Sequence, residues 1–480
     1  MSRGLSLWLW FVAGALGCSG GTARESPARH VVFISLDTTR ADHFGFYGNT
    51  AIRTPHLDRL AAESIVLDDF MTVAPTTLSS HASLFTGKYP HSHGAPRNGF
   101  VLDQANVTLA ELLRDNGFAA AGFVGAFPLS ARFGIDQGFE RWDEEFERFK
   151  GRDGVLQNER SAAAVTDAVL RHLDATAPKP GRFLFVHYFD PHVPYEPPAP
   201  YDTLYDARGR AGLDDWKTQV QACAALPVGQ RRTAQAERMA AQYAGEIGYL
   251  DEQVGRLLDG LRERGILDDA LLVVTSDHGE TFWEDHECFD HGWGVHQTTV
   301  RALGLIRLPG AAKSGTRVAG VVANIDLLPT VLEYLGIAAP AGIDGEPLRL
   351  ASDSLGPSGA ARFSQATKPW EEVETDSRWR NMHKARCIRA GRHKLIQVPY
   401  AGFEELFDLV DDPGETRNLL DRPGAEELAG PLRQMLESWA ASAHPLPTHF
   451  VREDQDEVLE RLRSLGYVGG EARSEPAGHP

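Results

Sequence analysis

The chain has 480 residues, 42% of them hydrophobic, and its 48 Lys plus Arg against 66 Asp plus Glu leave a net charge of −18. That length exceeds one ordinary hydrophobic core and predicts a large domain with a smaller companion. The acidic balance argues against a nucleic-acid partner, because phosphate backbones are gripped by basic surfaces, and no internal apolar run is long enough to span a bilayer.

At the N-terminus, Arg3 followed by the apolar stretch from Leu5 to Leu16 predicts an export signal over residues 1–18, with residues 19–29 as a tether. Two processing routes are open. Ala15-Leu16-Gly17-Cys18 is similar to a bacterial lipobox, which would make the mature chain a periplasmic or outer-membrane lipoprotein anchored at Cys18. Cleavage after Ala15 would instead release a soluble periplasmic protein. Membrane contact is expected only through that lipid anchor.

The run from His30 to Leu36 is β-rich and apolar and ends at Asp37, as a buried parallel strand with a carboxylate at its tip would. Thr54-Pro55 caps a short helix. Strand-like and helical runs then alternate through Ile65–Phe70, Thr108–Arg114, Ala119–Val124, Asn158–Leu173 and Arg182–Tyr188. A long helix from Thr233 to about Arg264 leads into a strand from Ala270 to Thr275, followed by Ser276-Asp277-His278. This alternation predicts a doubly wound α/β domain with a mostly parallel sheet over residues 30–340. Between Pro194 and Arg232 lies an insertion that either covers the site or is an uninvolved loop.

Residues 341–468 read as a smaller C-terminal α+β domain with short strands and a helix from Ala425 to Trp439, and residues 469–480 as a disordered tail. Cys223, Cys288 and Cys387 are far apart and odd in number. They predict neither a zinc spacing nor a disulfide framework.

Five segments share one family's order. They are Phe33-Ile34-Ser35-Leu36-Asp37 with Thr54-Pro55-His56-Leu57-Asp58, the run from Thr76 to Gly87, Asp190-Pro191-His192-Val193-Pro194-Tyr195, Ser276-Asp277-His278-Gly279-Glu280, and Glu405-Leu406-Phe407-Asp408-Leu409 leading to Asp412-Pro413-Gly414-Glu415. Together they resemble the sulfatase branch of the alkaline phosphatase superfamily, which implies that superfamily's fold. Sulfatases place Cys-x-Pro-x-Arg where this chain has Thr77-Leu78-Ser79-Ser80-His81. The resemblance therefore puts Thr77 at the nucleophile and His81 at an arginine, a substitution that offers only a conditional charge.

The same resemblance assigns Asp37, Thr77, Asp277 and His278 to one metal site. Thr38 and His278 stand where many sulfatases complete a calcium site with Asp and Asn. Two carboxylates with an imidazole suit zinc or manganese better than calcium, which stays as the alternative ion. His192 and His291 are expected at the substrate as catalytic histidines, and with Asp190 they could hold a second ion. His286 and His296 flank His291, and Arg40 is a further candidate for contact with the anion. Ser79, Ser80 and the amides of a helix beginning near Ser80 could receive that anion. Read alone, an Asp at a strand tip or a Thr/Ser cluster is an ordinary helix cap. The Lys/His motif that supplies sulfate contacts in many sulfatases is replaced by Gly122-Phe123-Val124-Gly125-Ala126-Phe127-Pro128.

The expected activity is metal-dependent hydrolysis or transfer of a small anionic ester, a phosphate ester first, through a covalent threonyl intermediate on Thr77. Its natural form could be a glycan or a lipid headgroup. Sulfate-ester hydrolysis is the alternative, and a catalytically silent ligand-binding lipoprotein is the alternative of another class.

Overall fold

The computed structural model describes residues 28–150, 156–284, 287–352, 355–356, 359, 361–368, 384–399, 401–442, 446–451, 454–465 and 467. The expected export signal with Ala15 and Cys18, the tail 469–480 and His286 lie outside the described residues. No described helix is long and apolar enough to cross a membrane.

The larger sheet has, in spatial order, strands Arg317–Ala323, Ile65–Met71, Gly304–Arg307, Ala270–Ser276, His30–Leu36, Arg182–Tyr188, Ala119–Phe123 and Arg141–Asp143, with Arg301–Ala302 pairing alongside Ile65–Met71. Gly304–Arg307 runs antiparallel to both of its neighbours, while the four strands beyond Ala270–Ser276 are parallel to it. The three central strands are buried along their whole length. Their side chains divide by alternate residues. Val31, Phe33, Phe183, Phe185, Leu271 and Val273 pack into the core on one face, and Val32, Ile34, Leu184, Val186, Leu272 and Val274 into the core on the other. The period-2 geometry of a strand makes this division, so a continuous apolar run is what a sheet covered on both faces requires. This is the doubly wound, mostly parallel α/β sheet that the alternation of strands and helices predicts.

The 30-residue helix Ala234–Glu263 begins at Thr233, whose side chain accepts from Ala236 N, and lines the second of these cores with Tyr243, Ile247, Leu250 and Val254. A smaller antiparallel sheet, Arg362–Gln365, Arg386–Ala390, His393–Val398 and Phe403–Asp408, carries the helix Ala425–Ala441 and shares a third core with the larger domain, where Ile388, Ile396 and Leu436 meet Met71, Val73 and Ile325. The buried Lys394–Glu415 ion pair, 2.7 Å long, joins it to the larger domain, because Glu415 Oε2 also accepts from Gln297 N at 2.6 Å.

Contrary to the reading of the cysteines, Cys223 and Cys288 form a disulfide, with Cα atoms 6.0 Å apart. Their separation of 65 residues hides the pair in the sequence. The insertion folds back as the helix Trp216–Ala224 and brings Cys223 against the segment that follows Glu280. The last described segment also returns: Val451, Val458, Leu462, Leu465 and Tyr467 pack into the core of the larger sheet rather than the smaller one.

Candidate active site

Leu36 and Ser276 are partners in register on neighbouring parallel strands, so Asp37 and Asp277 leave the sheet side by side. The carboxyl ends of parallel strands are where open α/β sheets bind ligands. Thr38 then takes a left-handed conformation at φ 53°, unfavourable for a β-branched residue. Its surroundings hold it there. Thr38 N donates to Asp277 Oδ1 at 3.1 Å, and the Thr38 carbonyl accepts from the Tyr243 hydroxyl at 2.8 Å.

His278 N donates to the same Asp277 Oδ1 at 2.7 Å. Its Nδ1 lies 2.9 Å from the Gly279 carbonyl, which can only accept, so Nδ1 carries the proton and Nε2 a lone pair. That Nε2 and Asp277 Oδ2 are buried without a hydrogen-bond partner, 3.5 Å apart. Ligand atoms of Asp37, Asp277 and His278 all lie within 4.8 Å of one another.

Burial, then the charge of Asp37, pushes the Asp277 carboxyl well above the usual carboxylate range. Burial works against ionisation of Asp37 too, but its hydrogen bond and charge interaction with His187 prevail and hold it below that range. His278 is pushed down to about 3 by burial and by His291, and is neutral. Two adjacent carboxylates and an unprotonated imidazole nitrogen, two of their atoms orphaned, fit a divalent cation. A second group, His81, His187 and Asp277, is equally compact. It fits less well, because both ring nitrogens of each histidine already have partners.

Thr77 is fully buried and is the first residue of the helix Thr77–Thr86, which starts three residues earlier than expected. The first turn is tied to the strand tip, since the Ser80 hydroxyl donates to the Asp277 carbonyl at 2.8 Å. Ser80 is therefore part of the scaffold. Leu78 N donates to Asn98 Oδ1 at 2.8 Å, and Asn98 Nδ2 and Ser79 Oγ remain buried without partners. These two donors can receive an anion.

His81, at the position of the pattern's arginine, is pushed down to about 3 by burial and His187. It donates from Nδ1 to the Thr77 carbonyl at 2.7 Å and accepts the Ser35 hydroxyl at 2.8 Å. It anchors the helix and offers no charge at neutral pH.

His192 and His291 do come together, with ring centroids 5.4 Å apart, and His291 lies 4.3 Å from His278. His192 stacks on Phe189, and His291 Nδ1 lies 3.2 Å from Glu280 Oε1. Burial lowers both imidazoles, His291 to about 4. Asp190, which could have joined them in a second metal group, forms no such group among the described residues. Its Oδ1 accepts from Ala162 N at 2.9 Å, and its burial is shared with Glu159 and Glu246 instead. The carboxyl gives an otherwise unsatisfied N–H in the first turn of the helix Ala162–Ala175 its acceptor, which accounts for the placement. Arg40 is held by Asp42 and Glu284, each at 2.8 Å, and by the Glu280 carbonyl. His296 lies 3.0 Å from Glu405 and bridges to the smaller sheet.

Three residues at the site escape sequence reasoning. His187 Nε2 lies 3.0 Å from Asp37 Oδ2, and a histidine inside a fully buried strand was the available signal. Asn98 gave none. Tyr467 lies far along the chain, yet its hydroxyl is 3.0 Å from Thr77 Oγ1 and 2.8 Å from His192 Nε2. Leu465-Gly466-Tyr467-Val468, an apolar island before a polar tail, was its signal. Burial pushes this phenol well above the ordinary tyrosine range.

A family model described as Sulfatase matches residues 29–337. The chain belongs to the sulfatase family. A second model, N-sulphoglucosamine sulphohydrolase, C-terminal, matches residues 284–442. The N-acetylglucosamine-6-O-sulfatase of Bacteroides thetaiotaomicron is 24% identical over 498 aligned residues that cover 88% of each chain. A multifunctional alkaline phosphatase superfamily protein of Trinickia caryophylli is 25% identical and covers 88% of this chain and 97% of its own. Among solved structures, the phosphonate monoester hydrolase of Agrobacterium radiobacter superposes with a TM-score of 0.69 at 23% identity, over 87% of this chain and 96% of that one. This sulfatase-family chain is accordingly an ester hydrolase.

Proposed function

We propose that the chain hydrolyses or transfers a phosphorus ester through Thr77, with a divalent cation held by Asp37, Thr77, Asp277 and His278. The observation that carries this reading is a buried threonine at the nucleophile position with no cysteine beside it. Cys223 and Cys288 are paired, and Cys387 lies in the smaller sheet. The formylglycine of sulfatases is made from a cysteine and sheds sulfate by elimination from its hydrated form. A threonyl ester has no such exit. It is released only by attack of water at phosphorus or sulfur, the route of a phosphoesterase.

The bound cation would lower the pKa of the Thr77 hydroxyl and offset the charge of the ester. Zinc or manganese is favoured over calcium by the imidazole of His278. Asn98 Nδ2 and Ser79 Oγ supply neutral donors to the non-bridging oxygens, and His192, joined to Thr77 through the Tyr467 hydroxyl, and His291, beside His278, serve proton transfer with the leaving oxygen. Turnover of aryl phosphate mono- and diesters, an aryl phosphonate and an aryl sulfate across a metal panel tests the reading, with Thr77→Ala as control. Phosphorus-ester turnover that depends on Thr77 is expected, and turnover of sulfate alone contradicts it. The names of the relatives support the second reading, a sulfatase acting on a sulfated sugar.

Export to the periplasm, as a lipoprotein through Cys18 or soluble after cleavage at Ala15, is part of the proposal. The Cys223–Cys288 disulfide supports it, since such bonds persist in oxidising compartments.

A further inference from the structure

Thr77 Oγ1, Tyr467 Oη and His192 Nε2 form a chain of hydrogen bonds of 3.0 and 2.8 Å. Its direction can be read from the far end. His192 Nδ1 lies 2.8 Å from the Val193 carbonyl, which only accepts, so Nδ1 carries the proton and Nε2 the lone pair. The Tyr467 hydroxyl therefore donates to Nε2, and its oxygen accepts the hydroxyl of Thr77.

The position of Tyr467 is built into the fold. The helix Gln455–Ser464 that precedes it buries Val458 and Leu462 in the core of the larger sheet, and Arg461 lies over the Phe127 ring at 4.9 Å. Two backbone bonds upstream, Val101 N to His449 O at 3.0 Å and Val451 N to Gly99 O at 2.9 Å, fix the approach of the segment. Tyr467 N then donates to the Leu462 carbonyl at 2.8 Å, and the ring, 4% exposed, packs 5.2 Å from His192 and 5.7 Å from His291.

We propose that Tyr467 is a positioning residue of this active site: the C-terminal segment returns to the larger domain to deliver a phenol that orients the Thr77 hydroxyl and couples it to His192. The inference rests on Thr77 as the nucleophile. A threonine hydroxyl turns freely about its C–O bond, and attack needs one lone pair aimed at the ester. Accepting the Thr77 proton fixes that rotation, which is the kind of pre-orientation that raises reactivity without adding ground-state affinity.

The test is steady-state kinetics of the full-length, metal-loaded wild type, Tyr467→Phe and Thr77→Ala on the aryl ester that the wild type turns over fastest. Phenylalanine keeps the ring packing, so melting temperature and metal content are expected to match the wild type. The expected result is a fall in kcat of about tenfold to a hundredfold with KM within about twofold. A Tyr467→Phe enzyme as fast as the wild type, or faster, overturns the inference and marks the phenol as a spectator or a plug. If Thr77→Ala is inactive while Tyr467→Phe is fully active, this inference alone fails. If Thr77→Ala keeps its turnover, the nucleophile reading falls and the inference falls with it.

Discussion

Asp277 Oδ2 and His278 Nε2 face one another at 3.5 Å with no hydrogen-bond partner for either atom. Orphaned acceptors in a buried site are costly unless a cation satisfies them, and Asp37 adds a second carboxylate. Zinc or manganese is therefore expected to raise the melting temperature of the stripped wild type. Asp277→Asn replaces a buried carboxyl, which burial and Asp37 push toward its protonated form, with a neutral amide that keeps an acceptor for Thr38 N and His278 N. Melted without metal, this variant should match or exceed the wild type, and it should gain little from added metal. Equal metal stabilisation of both proteins would remove Asp277 from the ligand set.

The disulfide makes a separate prediction about stability. Cys223 and Cys288 enclose 65 residues of chain separation, and a cross-link of that span restricts the unfolded state by about 2–4 kcal/mol. The double variant Cys223→Ser/Cys288→Ser should denature at lower urea concentration by a matching amount. Mass spectrometry without reductant should find the two cysteine peptides joined, and free thiols at both positions would refute the pairing.

A pH dependence follows from the carboxyl groups at the start of the helix Ala162–Ala175. Burial raises Asp190 to about 7 and Glu159 to about 8, and pushes Glu246 well above its ordinary value. A carboxyl raised in the fold favours the protonated native state. Its contribution is complete below the unfolded value near 4 and is lost as pH rises through the folded value. Glu246→Gln keeps an acceptor for Glu196 N. Its melting temperature should exceed that of the wild type at about pH 9 and converge with it at about pH 4. A constant difference across that window would mean that Glu246 does not titrate there.

Much of the site was legible because strands obey a local rule. The apolar runs ending at Asp37 and Asp277 announce buried parallel strands, and parallel strands put such tips at one edge; the register of Leu36 with Ser276 completes the placement. Thr77 was legible through the motif around it. For Asp190, considered for a second ion, two residues of separation from His192 say nothing about direction once a strand has ended, and a helix terminus claimed its carboxyl. Cys223 with Cys288, and Tyr467 with Thr77, are contacts of long sequence separation made by segments that fold back. Neither a periodicity nor a spacing encodes them.

Whether Thr77 carries the transferred group is read by mass spectrometry of acid-quenched enzyme during turnover of an aryl phosphate. A phosphoryl adduct is expected on the peptide containing Thr77 and is expected to be absent from Thr77→Ala. An adduct on another residue, or wild-type turnover by Thr77→Ala, would contradict it.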